Sequence, residues 1–299
     1  MENDNFKKKI IVILGPTASG KSDLAIKLAQ KFNGEIISAD SRQVYKGLDI
    51  GSGKIKKEEM KEIPHYLLDV ASPKRRFSVS KYQKLSLKAI EKIFKKNKIP
   101  IICGGSGFYV QSIIDGLKIP EVKPNYKLRK ELSKKTPDEL YEMLKKLDKD
   151  RAESIDRKNS RRLIRAIEIA IELKKVPKLE KSPLPYPVLI LGIKKEKEEL
   201  KKLIKKRLLK RLDEGMVDEV KNLYKNKVSF KKLEEFGLEY RYIAFYLQGK
   251  MTYDEMVKSL QKEIEHYAKR QMTWFKKDNR IIWIKNYKEA EKLVKDFLK

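Results

Sequence analysis

The stretch from Ile10 to Ser22 restricts what this chain can fold into more than any other. Ile10-Ile11-Val12-Ile13-Leu14 is wholly apolar and mostly β-branched, the composition of a strand buried on both faces of a parallel sheet. Gly15-Pro16-Thr17-Ala18-Ser19-Gly20-Lys21-Ser22 then fits G-x-x-x-x-G-K-[ST], the pattern of a phosphate-binding loop. Residues 23–29 follow with apolar side chains at helical spacing. Strand, glycine loop and helix are together the context that gives this motif meaning. The loop turns its backbone N–H groups inward, and the helix N-terminus adds partial positive charge. Lys21 supplies a full charge, and the Ser22 hydroxyl can bind Mg²⁺. The loop specifies a bound polyphosphate without deciding whether that group is a nucleotide.

The segments that follow keep an alternation of strands and helices. Residues 35–39 read as a second strand ending at Asp40, 65–70 as a short strand, 77–96 as an amphipathic helix, and 99–103 as another buried strand. That last strand runs into Gly104-Gly105-Ser106-Gly107. The pattern predicts an α/β fold, a doubly wound parallel sheet. In such a sheet ligands sit at the carboxyl ends of the strands, so Asp40 is expected beside Lys21, as a Mg²⁺ ligand or a proton acceptor. The competing expectation is that Asp40 caps a helix. Gly47, Gly51 and Gly53 read as turn chemistry. Residues 119–186 show only helical patterns, including helices at 138–147 and 159–173, and are expected to form a helical insertion. The catalytic core would then be 1–118 and 187–299. After the stiff connector at 183–187, a strand at 188–193 rejoins the sheet. A helical C-terminal part follows, closing with a strand at 281–284 and a helix at 288–299.

Charge limits the partners. Among 299 residues, 71 Lys+Arg stand against 42 Asp+Glu, a net charge of +29. Such an excess attracts a polyanion: RNA, DNA or an anionic membrane surface. Arg161, Arg162 and Arg165 cluster in a chain that otherwise prefers lysine, and arginine suits bidentate phosphate contacts. Tyr240, Arg241, Tyr242 and Tyr267-Ala-Lys-Arg-Gln-Met-Thr-Trp274 interleave aromatic and basic groups, which read either as core or as a base-stacking surface. One cysteine, Cys103, and two histidines, His65 and His266, exclude an intramolecular disulfide and a His- or Cys-rich metal cluster. No apolar run approaches a membrane span, and the lysines at 7–9 do not introduce a signal sequence. A cytoplasmic location is expected, with no membrane and no obligate protein partner.

Several blocks in this order resemble the tRNA dimethylallyltransferases, also called tRNA isopentenyltransferases. They are Gly15–Ser22, Ile37-Ser-Ala-Asp-Ser-Arg-Gln-Val-Tyr-Lys-Gly-Leu-Asp-Ile-Gly51, Pro64-His-Tyr-Leu-Leu-Asp69, Gly104-Gly-Ser-Gly-Phe-Tyr109, Arg161-Arg-Leu-Ile-Arg-Ala-Ile-Glu168 and Tyr267–Phe275. The resemblance runs almost end to end. It implies transfer of a dimethylallyl group from its diphosphate to the exocyclic amine of the adenosine 3′ of a tRNA anticodon, with Mg²⁺ as cofactor. It also implies that Gly15, Pro16, Thr17, Ala18, Ser19, Gly20, Lys21 and Ser22 hold the diphosphate, that Arg207 contacts it, and that Asp40 is the general base. Thr17 and Ser106 match channel positions. Asp40, Ser41, Arg42, Gln43, Ser106, Arg129, Arg161, Arg162, Arg165, Tyr240 and Arg241 match tRNA-contacting positions. The chain departs from the pattern at Glu239, where a glycine is usual, and at Leu208-Leu209-Lys210-Arg211, where Val-Asp-x-Met is usual. The alternative is a small-molecule or nucleoside kinase, whose loop would hold ATP. It has no need of the charge excess or the arginine cluster.

Overall fold

The computed structural model describes residues 8–299, so Lys7 of the basic run lies outside the described residues. Six parallel strands form one sheet: β1 (Ile10–Leu14), β2 (Gly34–Ser38), β3 (His65–Tyr66), β4 (Ile99–Gly104), β5 (Val188–Ile193) and β6 (Ile281–Ile284), in the order β3-β2-β4-β1-β5-β6. The apolar run of β1 takes a central place because it can bury both faces. Ile10, Val12 and Leu14 enter one core layer, while Ile11 and Ile13 enter the other with the helices Lys21–Lys31 and Tyr287–Leu298. Each such side chain contributes about 1.5–3 kcal/mol on burial. A carboxylate introduced at Val12 would therefore break the sheet at its middle.

All strands run the same way, so β1, β2 and β4 end on one edge. That edge carries the phosphate loop, Asp40 and the Gly104–Gly107 turn. The third strand is shorter than the predicted 65–70. Only His65 and Tyr66 pair with Ile36 and Ile37, and Leu67 and Asp69 then take φ values of 64° and 56°, which turn the chain out of the sheet.

The chain divides into two compact units. One runs to Asp115 and resumes at Pro183–Lys299; the other is Gly116–Ser182. The first contains the sheet and the C-terminal helices, from Lys197–Asp213 to Tyr287–Leu298. The second is helical, with Leu140, Leu144, Leu163, Ala166, Ile167 and Ala170 at its centre. Its helix Pro137–Leu147 starts with a reciprocal Thr136–Glu139 capping box and a proline at its first turn, and Asn159 caps Ser160–Leu173. No helix among the described residues is long and apolar enough to cross a membrane.

Candidate active site

The phosphate loop needs a left-handed residue at its end, and Gly20 (φ 85°) provides it, so the helix Lys21–Lys31 starts at the lysine. Lys21 Nζ donates to the Pro16 carbonyl at 3.2 Å, folding the ammonium back across the loop. Arg207, on the helix Lys197–Asp213, donates a short hydrogen bond from Nη2 to Thr17 Oγ1. Gln271 ties the loop from the other side. Its Oε1 accepts from Thr17 N at 2.8 Å, and its Nε2 donates to the Gly105 carbonyl at 2.9 Å. Lys21, Ser22, Arg207 and Arg211 line one cavity of 720 Å³ together with Lys54, Lys206 and Lys210.

These cations are held uncomfortably. Burial, then Arg207 and Arg211, push Lys21 below the ordinary lysine value, against the opposing pull of Cys103 and Asp40. Burial and the neighbouring Arg211 bring Arg207 down to about 9. A bound anion would relieve both.

Asp40 follows β2 directly. Its Oδ1 accepts from Arg42 N at 2.8 Å and Gln43 N at 3.4 Å, so the carboxylate caps a turn rather than a helix. Its Oδ2 has no hydrogen-bond partner among the described residues. Ser106 Oγ accepts from Ser41 N at 3.0 Å, joining the ends of β2 and β4. Arg42 Nε donates to the Phe236 carbonyl at 2.6 Å, and Gln43 spans from Ser38 to the Gly53 carbonyl. Burial, with the Asp40 charge adding to it, holds the phenols of Tyr109 and Tyr267 above their ordinary values. They stay protonated at neutral pH.

The loop at 47–54 is organised by Glu219, a residue that no sequence motif marks. Glu219 accepts from Asp49 N, Ile50 N and Gly51 N at 3.0, 2.6 and 3.1 Å, and from the Tyr240 hydroxyl at 2.9 Å. Tyr240 is only 1% exposed, which corrects the expectation that it meets tRNA; the ring is core and its hydroxyl is spent on Glu219. Arg241 lies half-buried, with Nε donating to the Glu234 carbonyl at 3.1 Å. The two departures from the family pattern meet each other: Arg211 Nη1 lies 3.4 Å from Glu239 Oε1, both side chains buried. Methionine and glycine at these positions could not form that pair.

In the helical unit the arginines separate. Arg129 donates to the buried Glu168 through Nε and Nη2 at 2.9 and 2.5 Å. Arg165 donates to the same carboxylate and to the Val122 carbonyl. Burial alone would raise the Glu168 carboxyl, but the bonds from Arg129, Asn125 and Arg165 outweigh it and hold it low. Arg129 and Arg165, expected as tRNA-contacting residues, are thus both paired with Glu168. Arg161 and Arg162 are exposed and make no side-chain hydrogen bond among the described residues.

A family model described as IPP transferase matches residues 43–278. The tRNA dimethylallyltransferase of Anoxybacillus flavithermus is 41% identical over 281 residues, covering 92% of this chain and 90% of that protein. The chain belongs to the tRNA dimethylallyltransferase family. Its relative in Acetivibrio thermocellus is 39% identical over 298 residues, covering 96% of this chain and 95% of that one. Among solved structures, a tRNA isopentenylpyrophosphate transferase from Bacillus halodurans superposes with a TM-score of 0.73 at 33% identity, over 98% of this chain and 96% of that chain. A eukaryotic dimethylallyltransferase captured acting on tRNA gives 0.73 at 30% identity, over 89% of this chain and 69% of that chain. The family model begins at Gln43, after the phosphate loop and Asp40.

Gln271 belongs to the Lys-Arg-Gln-x-Thr-Trp block, yet the sequence alone assigns it no role. The signal was its position: a polar residue on the apolar face of Tyr253–Phe275, beside Ala268 and Phe275. Glu219 and Glu168 carried no such mark, being acidic residues on amphipathic helices.

Proposed function

We propose that the chain transfers a dimethylallyl group from dimethylallyl diphosphate to the exocyclic amine of the adenosine 3′ of a tRNA anticodon. The observation that carries this reading is the convergence on one sheet edge of a cationic phosphate loop, Lys21 with Arg207, and a carboxylate whose second oxygen is free. The amine nitrogen forms a bond to the allylic carbon as the carbon–oxygen bond to diphosphate breaks. The electron pair leaves on the diphosphate, whose growing charge Lys21 and Arg207 face, in a site where burial strengthens the attraction. The proton lost by the nitrogen goes to Asp40 Oδ2. The adenine must leave its stack to reach this edge, so a flipped base is expected.

The donor set suits Mg²⁺. No group of three or more His, Cys, Asp or Glu side chains is gathered for a metal among the described residues. Ser22 offers an exposed hydroxyl on the cavity wall, which fits an ion that keeps its waters and takes further oxygens from a phosphate. When bound, the ion supplies positive charge to the leaving diphosphate. Arg161 and Arg162, exposed and without a side-chain hydrogen bond among the described residues, would hold tRNA phosphates.

Lys21→Ala tests the reading. Transfer, followed as modified nucleoside in digested tRNA, should fall by roughly 10²-fold or more while the fold persists, the loss expected for one electrostatic donor. Near-normal turnover at saturating substrate would remove this site from the chemistry.

A further inference from the structure

We infer that Arg211, held in place by Glu239, is a second guanidinium for the leaving diphosphate, so that this chain grips its donor with an arginine pair. The inference rests on the donor site proposed above. Arg207 and Arg211 lie one turn apart on the helix Lys197–Asp213, so both project from one face. They line the same cavity as Lys21 and Ser22.

The bonding of Arg211 is incomplete. Its side chain is 9% exposed, yet its hydrogen bonds are long: Nη1 reaches Glu239 Oε1 at 3.4 Å and the Gly51 carbonyl at 3.5 Å. Nε and Nη2 find no acceptor among the described residues. A buried guanidinium serving only stability should spend its donors, because an ion pair offsets its desolvation only with good geometry. Instead the group lies over the loop at Gly53, where a Cβ would fall 1.5 Å from Nη2; glycine there (φ 61°) leaves it room. Its neighbours carry a charge surplus. The cavity that Arg207 and Arg211 line carries eight Lys or Arg side chains against five Asp or Glu, and a diphosphate brings negative charge to that surplus. Glu239 fixes the position of Arg211 without saturating it, and leaves the planar fork free for two phosphate oxygens.

Titration calorimetry with inorganic pyrophosphate tests this on the full chain. Four proteins are compared: wild type, Arg211→Met, Glu239→Gln, and the double variant Arg211→Met/Glu239→Gly. The double variant leaves no unpaired buried charge, so it measures the site even where the single methionine variant fails to fold. Arg211→Met and the double variant should bind pyrophosphate about ten- to a hundredfold more weakly. KM for dimethylallyl diphosphate should rise alike, with tRNA affinity unchanged. Glu239→Gln keeps an oxygen for Nη1 and removes a competing negative charge, so it should bind pyrophosphate at least as tightly as wild type. Wild-type pyrophosphate affinity in the double variant would reduce the pair to a structural role and overturn the inference alone. Failure of wild type to bind pyrophosphate would instead overturn the donor site and this inference with it.

Discussion

Asp40 divides its two oxygens between structure and chemistry. Oδ1 holds the turn into Arg42 and Gln43, and Oδ2 has no such duty. Asp40→Asn keeps an oxygen for the turn and removes only the basicity. Single-turnover transfer should fall about 10²–10⁴-fold, with tRNA and pyrophosphate affinities within a few-fold of wild type. Loss of pyrophosphate affinity, with activity restored by excess Mg²⁺, would make Asp40 a metal ligand instead. The cations opposite carry a pH signature. Arg207 sits at about 9 in the free protein through burial and Arg211, and Lys21 is lowered by burial with the same neighbours. An anion binds the charged forms and raises both. The part of pyrophosphate affinity that Arg207 supplies is therefore present below about pH 9 and is lost as pH climbs from there through its raised bound value, with proton uptake on binding in that window; Lys21 acts in the same direction. Calorimetry in buffers of different ionisation enthalpy measures that uptake. Flat affinity from pH 7 to 10 would show that neither cation titrates there.

At the level of elements, the helix Ser160–Leu173 presents two kinds of arginine from one run of sequence. Arg165 turns toward Glu168 and, with Arg129, closes the ion cluster of the helical unit, whereas Arg161 and Arg162 stay in solvent. Replacing Arg161 and Arg162 by Ala should weaken tRNA binding and flatten its log-salt slope by roughly one unit for each phosphate no longer neutralised, with little effect on pyrophosphate. Arg165→Ala should lower the melting temperature instead. An unchanged slope in the double alanine variant would make this face ordinary solvated surface. The arginine cluster itself was legible in the sequence, but its division was not. The partner of Arg129 lies 39 residues away, and nothing local to Arg165 shows that Glu168 is buried.

Across the whole molecule, a parallel sheet gathers the ends of β1, β2 and β4, and the chain carries a net charge of +29. A site built for a prenyl diphosphate should be stabilised by that ligand by about 2.7 kcal/mol at a hundred times its dissociation constant. Thermal melting should therefore shift more with a dimethylallyl thiodiphosphate analogue than with ATP at equal concentration. The reverse order would overturn the assignment of the loop to a prenyl diphosphate.

The sequence by itself determined whatever depends on neighbours in the chain. Five apolar residues make a two-faced strand, a glycine frees one left-handed turn, and the spacing to Lys21 sets a cation at a helix N-terminus. Asp40 was legible for the same reason, as the polar residue that ends a buried strand. Only the tertiary structure decided which side chains are spent on one another. Tyr240 is sealed under Glu219 from 21 residues away, Gln271 ties the phosphate loop to the turn at Gly105, and Arg211 meets Glu239 over Gly53. Burial and pairing follow from distances between segments remote in sequence. Hydrophobic period and local propensity carry no record of those distances.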